Sequence, residues 1–320
     1  MDRAHAAEYM SAPDRSAASP SSAPAACHPD DSEPEATATM RTELVTIPTP
    51  TTPLDGAFYQ PEGPVRGCAL LFHGNRMSFL WGAPRFLPPV LAAMGYASLA
   101  FNRRGHDILS IRDSRQAEGG AFQLTREALE DNRLAAQWLA ARGLPPPLLI
   151  GHSNGGMLAV RHAVDHPDTP GLVLLSAQCG GTAMVRHAVA AGALDSLDAA
   201  AVTEDAQRRV AAGRGRELMR LPGWWYVSSA ESYLDRMSEL PDTLALAPQV
   251  HCPVFYLCGA GEPEDLYPAR AFARLAAGPC AVEFVADCDH FYRGREDEVS
   301  ARVAAWIGRT FGATACGGAS

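Results

Sequence analysis

The sequence predicts an α/β protein: a mostly parallel, doubly wound sheet with helices on both faces. Two observations carry this reading. Compact, mostly apolar runs recur along the chain, and segments with helical spacing separate them. Strands buried on both faces read as such runs. A third observation refines it. The alternation breaks once, over about residues 178–250, where helical stretches occur without a convincing strand. An insertion of that length is too long for a simple loop. It is read as a helical cap between the sixth and seventh strands, lying over the strand ends where open α/β sheets keep their sites.

The elements follow in order. Residues 1–40 hold 22 Ala, Ser and Pro and no Leu, Ile, Val, Phe or Trp. Seven acids against two arginines give this stretch −5 of the total −9. It lacks the apolar surface to offset its ordering entropy and is expected to be disordered; Met40 is a candidate start codon. Thr42–Ile47 and Ala57–Gln60 read as short strands. Cys68–Phe72, Tyr96–Phe101, Leu148–Ile150, Leu172–Leu175, Val254–Leu257 and Val282–Val285 read as buried strands. Helices are expected over Pro84–Met94, Leu124–Arg142, Asn154–His166, Pro268–Ala277 and Val299–Phe311, and within the cap over Ala199–Ala212 and Ser229–Leu240. The core then spans residues 41–177 and 251–311, with a flexible C-terminus at 312–320.

Composition removes several functions. A net charge of −9 argues against a non-specific nucleic-acid binder. All 27 basic side chains are arginine. Without lysine there is no Schiff base, no P-loop lysine and no Ser–Lys dyad. The eight cysteines form no C-x-x-C pair, so zinc-ribbon and thioredoxin-like sites have no support. Scattered cysteines in a chain of this size suit a reducing compartment, and a cytoplasmic location is expected. No apolar stretch of about 18 residues predicts a membrane span, and the N-terminus lacks a signal-peptide pattern.

The most informative segment is Leu148-Leu149-Ile150-Gly151-His152-Ser153-Asn154-Gly155-Gly156. It is G-x-S-x-G set between a strand and a helix. Such a turn raises a serine hydroxyl above the sheet, and the glycines let the backbone crowd together. The Asn154 N–H, at a helix start, points toward a developing oxyanion. Cys68–Phe72 runs into His73-Gly74-Asn75-Arg76, a loop able to supply a second oxyanion N–H from Asn75. His73 itself reads as structural. Downstream, His290 sits on the loop after the last strand, as a general base in the order Ser…acid…His requires. After Val254–Leu257, Glu262, Glu264 and Asp265 crowd one loop. Glu262 is the preferred acid and Asp265 the alternative. Met77, Phe79, Leu80 and Trp81 after the oxyanion loop, and Trp224, Trp225 and Tyr226 in the cap, are candidates for an apolar pocket.

These residues resemble the α/β-hydrolase family over about residues 41–311, in order, spacing and context: Phe72-His73-Gly74-Asn75, Asn102-Arg103-Arg104-Gly105-His106, Gly151-His152-Ser153-Asn154-Gly155 and Asp289-His290-Phe291. In the family's usual pattern the acid loop reads G-x-x-D-x. Gly259-Ala260-Gly261-Glu262-Pro263 places glutamate at that position. The resemblance implies a scaffold role for the Arg103-Arg104-Gly105-His106 turn. It also implies an esterase-like serine hydrolase rather than a dehalogenase or epoxide hydrolase, which use aspartate as nucleophile.

The expected function is cleavage of a carboxylic ester through an acyl-enzyme, without cofactor or metal. The expected partner is a small apolar ester. No nucleic acid or membrane is implied, and a homo-oligomer is compatible with the sequence. The competing readings are an amidase or peptidase with the same triad, and a catalytically silent binding protein on this fold. One test comes from the tail. Deleting residues 1–39 should leave both melting temperature and turnover unchanged, since the segment carries no large aliphatic residue with which to dock; a fall of several degrees would show that it packs on the domain.

Overall fold

The computed structural model describes residues 40–111, 116–190, 199–221 and 227–312. In chain order the strands are β1 (Met40–Ile47), β2 (Leu54–Pro61), β3 (Gly67–Phe72), β4 (Tyr96–Phe101), β5 (Ser110–Ile111), β6 (Ala117–Glu118), β7 (Leu148–His152), β8 (Leu172–Leu175), β9 (Leu218–Arg220), β10 (Val227–Ser229), β11 (Val254–Gly259) and β12 (Cys280–Val285). The helices are α1 (Ala83–Ala93), α2 (Thr125–Ala140), α3 (Asn154–Asp165), α4 (Gly181–Ala190), α5 (Ala199–Ala211), α6 (Ala230–Ser238), α7 (Thr243–Leu246), α8 (Ala269–Leu275) and α9 (Glu296–Phe311).

Eight strands form one sheet in the order β1-β2-β4-β3-β7-β8-β11-β12. β2 runs antiparallel to β1 and β4; every other pairing in this sheet is parallel. Alternate side chains of a strand face opposite sides, and β3 shows why its run is wholly apolar. Leu70 and Phe72 enter one core layer with Trp138 and Leu139 of α2, Val160 of α3 and Phe272 of α8. Ala69 and Leu71 enter the other, with Leu87 and Leu91 of α1 and Val299, Val303 and Ile307 of α9. A leucine fully buried in such a layer stabilises the fold by about 1.5–3 kcal/mol. The two layers hold the strands' C-terminal ends in line, and the loops that carry Asn75, Ser153, Glu262 and His290 leave from those ends.

The segment between β8 and β11, the sixth and seventh strands of this sheet along the chain, carries α4, α5, β9, β10, α6 and α7. It is not wholly helical. β9 and β10 pair antiparallel through three residues each. A ladder that short, with only Met219 of β9 buried, has no period to read in a sequence. The same holds for the two-residue β5–β6 pair. The insert has its own small core of Ala206, Met219, Leu221, Ala230 and Tyr233. Its neck is narrow. Gly180 bridges Asp242, and the Thr243 N–H donates to the Cys179 carbonyl at 2.9 Å. Gly180 has φ 63°, and a Cβ there would lie 1.9 Å from the Pro241 carbonyl oxygen, so only glycine fits.

Met40, expected at the end of the disordered tail, is the first residue of β1, where it pairs with Pro61. Residues 1–39 and 313–320, and with them the rest of the expected tails, lie outside the described residues, as do Trp224, Trp225 and Tyr226. Among the described residues no helix is long and apolar enough to cross a membrane.

Buried histidines give this fold a defined acid response. His162 of α3, 5% exposed, lies between Phe72, which it meets edge-on, and the tilted ring of His166. Burial, then the charge of His166, lowers its pKa to about 3. The unfolded chain takes up a proton near the ordinary 6.5 while the folded chain does not, so this contribution is present above pH 6.5 and is lost as pH falls toward 3. Asp131, raised by burial to about 6, works in the opposite sense between 3.8 and 6. His162→Phe should therefore flatten the acid limb of urea-unfolding stability between pH 6.5 and 4 by about one proton, ~1.4 kcal/mol per pH unit. An unchanged slope would mean that His162 is protonated in the fold.

Candidate active site

β7 ends at His152 and α3 begins at Asn154, which leaves Ser153 alone at the turn with φ 56° and ψ −121°. A non-glycine residue pays about 1–3 kcal/mol to sit there. The spacing of the glycines has a steric cause. A Cβ at Gly151 would lie 2.5 Å from the Gly155 carbonyl oxygen. One at Gly155 would lie 2.4 Å from the Phe72 carbonyl oxygen and 2.5 Å from that of His73. One at Gly156 would lie 2.5 Å from the Ala177 Cβ. The turn is pinned by its own backbone: the Ser153 N–H donates to Leu175 at 2.9 Å, and its carbonyl accepts from Gly156 and Gln178. Asn154, the first residue of α3, has no intrahelical acceptor for its N–H.

The loop after β3 lies against this turn. A Cβ at Gly74 would be 3.5 Å from the Ser153 Cβ and 2.7 Å from the Met77 Sδ. His73 is fully buried. Its Nε2 accepts from the Arg103 N–H at 3.2 Å, so the ring proton is on Nδ1, which donates to the Gly74 carbonyl at 2.8 Å. Burial and then the Arg103 charge hold its pKa well below the usual range, which fits the structural role expected of it. Arg103, also fully buried, donates to the His73 carbonyl at 2.7 Å. Arg104 grips Asp131 through its own N–H and Nε at 2.7 and 2.8 Å. The Arg103-Arg104 turn thus braces the loop from below.

His290 and Glu262 meet beside it. His290 Nδ1 donates to Glu262 Oε1 at 2.7 Å, with the Glu262 side chain 1% exposed. Glu262 Oε2 accepts from the Gly259 N–H at 2.7 Å and from the Ser176 hydroxyl. The Tyr292 hydroxyl lies within bonding distance of both Ser176 Oγ and the Leu257 carbonyl. Asp265 is exposed, and Glu264 pairs with Arg270 on the surface side of the loop. The His290 carbonyl accepts from His152 Nε2 at 2.8 Å, which ties the histidine loop to the residue before Ser153. Burial, then the His290 charge, lowers His152 to about 3, so this imidazole stays neutral. Of the six non-glycine residues with positive φ among the described residues, five lie on these loops: Arg76, Ser153, Ser176, Asp287 and Tyr292. Strained backbone of this kind clusters at functional sites.

The structure separates the expected pocket residues. Met77 lies against Gly74 and Gly82. Phe79, 8% exposed, packs in the α1/α9 core layer, so its role is packing. Leu80 and Trp81 are each 57% exposed. Ser176, Tyr292, His152 and Arg236 have site contacts that the sequence reading did not anticipate. Only Ser176 and His152 left a trace, as residues at strand ends. Among the described residues no group of His, Cys, Asp and Glu is arranged to hold a metal ion.

The alpha/beta hydrolase family model matches residues 69–303, most of the chain and every loop just described. The chain belongs to the alpha/beta hydrolase family. Membership makes it a hydrolase. No curated protein matches it. Solved structures share the fold at low identity. Est1E from Butyrivibrio proteoclasticus is 16% identical, with 84% of this chain and 99% of that chain covered and a TM-score of 0.57. The esterase domain of a Rhodothermus marinus protein is 22% identical, with 84% and 98% covered and a TM-score of 0.57. A soluble variant of monoglyceride lipase from Saccharomyces cerevisiae, in complex with a substrate analog, is 16% identical, with 87% and 97% covered and a TM-score of 0.61.

In this alpha/beta hydrolase the glycine sterics give a direct test. Gly155→Ala should cost ~1–3 kcal/mol, because the added methyl meets two backbone carbonyls that cannot move independently of β3. A denaturant midpoint equal to that of the parent would show that the turn relaxes freely.

Proposed function

We propose that this alpha/beta hydrolase cleaves a carboxylic ester by two-step acyl transfer, with Ser153 as nucleophile, His290 as general base and Glu262 as its acid. The observation that carries the reading is the His290–Glu262 hydrogen bond at 2.7 Å beside a serine held at positive φ on a strand-to-helix turn. With Nδ1–H committed to Glu262, His290 presents Nε2 as the basic nitrogen. His290 Nε2 takes the Ser153 proton as Oγ bonds to the acyl carbon. The N–H groups of Asn75 and Asn154 stabilise the oxyanion. His290 then protonates the departing alcohol, and a water attacks the acyl-serine by the same route to release the acid.

Glu262 is preferred over Asp265 on accessibility. Its carboxylate is buried and takes donors from His290, Ser176 and Gly259, whereas Asp265 faces outward. The buried carboxylate fixes the imidazole tautomer and stabilises the imidazolium that forms. The insert serves as a cap, with a small apolar ester bound near Met77. The fold neighbours supply the scaffold and not the substrate, so ester chemistry is argued from the site itself.

Ser153→Ala should fold normally and lose roughly 10⁶ in kcat on a p-nitrophenyl ester. Glu262→Gln should lose about 10³–10⁴, because the amide offers a donor where the imidazole needs an acceptor. Asp265→Asn should stay within about threefold of the parent. A crippled Asp265→Asn beside an active Glu262→Gln would move the acid one turn along the loop. Faster cleavage of a matched anilide than of the ester would favour an amidase. A wild-type chain whose Ser153 ignores a fluorophosphonate probe would leave a binding protein.

A further inference from the structure

We propose that Arg236, on the insert, is a positioning residue for the oxyanion loop, acting through the Asn75 side chain. The inference rests on the reading of Ser153 as nucleophile and Asn75 as an oxyanion donor. Arg236 Nη1 donates to Asn75 Oδ1 at 3.1 Å, and Nη2 donates to the Gly120 carbonyl at 2.8 Å. No carboxylate forms a salt bridge with it among the described residues. The adjacent Asp235 is occupied by the Thr125 N–H and hydroxyl at 2.7 and 2.6 Å. Burial lowers the guanidinium only to about 10, so it stays charged at neutral pH. A half-buried cation is thus spent on two neutral acceptors, one of them in the loop that faces Ser153.

The platform that carries Arg236 is rigid. The Ser229 N–H donates to Ala121 at 2.7 Å, and the Ser232 hydroxyl donates to Gln123 at 2.7 Å. With the Asp235–Thr125 bonds, these fix α6 to residues 121–125. Contact runs the other way too. Arg76, at φ 55°, donates Nη2 to the Val227 carbonyl of β10 at 2.7 Å. A Cβ at Gly120 would lie 2.5 Å from the Arg76 Cγ, so the Arg76 stem and the Arg236 guanidinium meet at one residue. Asn75 and Arg76 are therefore both tied to the insert, one by receiving a hydrogen bond and one by giving it. The loop's own backbone contributes a long Met77 N–H to Gly74 carbonyl bond at 3.3 Å. The direction of the Asn75 peptide is set largely from outside the loop.

A double-mutant cycle on the full chain tests this, with kcat and KM measured on one ester. Asn75→Ala keeps the backbone N–H and removes the side-chain amide, with it the Oδ1 that Arg236 holds. Losing an oxyanion donor altogether costs about 10²–10³ in kcat, and misdirecting it should cost part of that. Arg236→Gln and Asn75→Ala should each lower kcat by about 10–100-fold with KM nearly unchanged, and the double variant should be no worse than either single one. If Arg236→Gln fails to fold by circular dichroism, Arg236→Lys carries the same cycle. Losses that multiply, a rise in KM in place of the fall in kcat, or an Asn75→Ala enzyme of parental activity would overturn the proposal. Labelling of wild-type Ser153 by a fluorophosphonate separates the two readings. Labelling with multiplicative losses overturns the role of Arg236 alone; absence of labelling overturns both.

Discussion

Backbone meets backbone at the Ser153 turn, and the active-site loops are arranged around that contact. With Gly155 against the carbonyls of Phe72 and His73, the start of α3 sits directly on the end of β3. With Gly151 against Gly155 and Gly156 against Ala177, the same few atoms also touch β7 and the chain just past β8. Three adjacent strands are locked at their C-terminal ends by contacts that no side chain could fit between. The Ser153 conformation is the residue of that constraint: the serine is held at positive φ because the surrounding backbone leaves it no alternative.

The proposed acid–base pair is built on the same ends by different means. Glu262 leaves β11 and turns back to its own strand, where one of its oxygens accepts from the Gly259 N–H. The Ser176 hydroxyl past β8 holds that oxygen from the other side. The carboxylate is thereby oriented before His290 is considered. His290 is held on two sides as well, by Glu262 at its Nδ1 and by His152 at its carbonyl. A neutral His152 suits this place. A charged imidazole beside His290 would oppose the positive charge that His290 accepts in the proposed reaction.

Much of this was legible in the sequence. The strand and helix order followed from mostly apolar runs, and the placing of Ser153, His290 and the acidic loop at strand ends from their motif residues. Local pattern carried those inferences. What was missed acts across the chain. Ser176 reaches Glu262 over 86 residues, Tyr292 reaches Ser176 over 116, and Arg236 reaches Asn75 over 161. No periodicity records such pairs. Phe79 misled for a related reason: an aromatic after a site loop has the same composition whether it lines a pocket or, as here, packs under α1. The β9–β10 ladder was too short to leave a period, and the insert therefore read as all helix.

The neck at Gly180 and Asp242 has a consequence for descent. A segment that departs and rejoins at one bridge behaves as a graft on the sheet rather than a part of its winding. Lengthening or replacing such an excursion changes closure entropy only slowly, and it leaves strand order and register untouched. In this chain the graft also touches the proposed oxyanion loop, through Arg236 and Asn75. A lineage free to exchange its inserts would then have to carry the matching arginine with each exchange, so specificity and turnover would be inherited together.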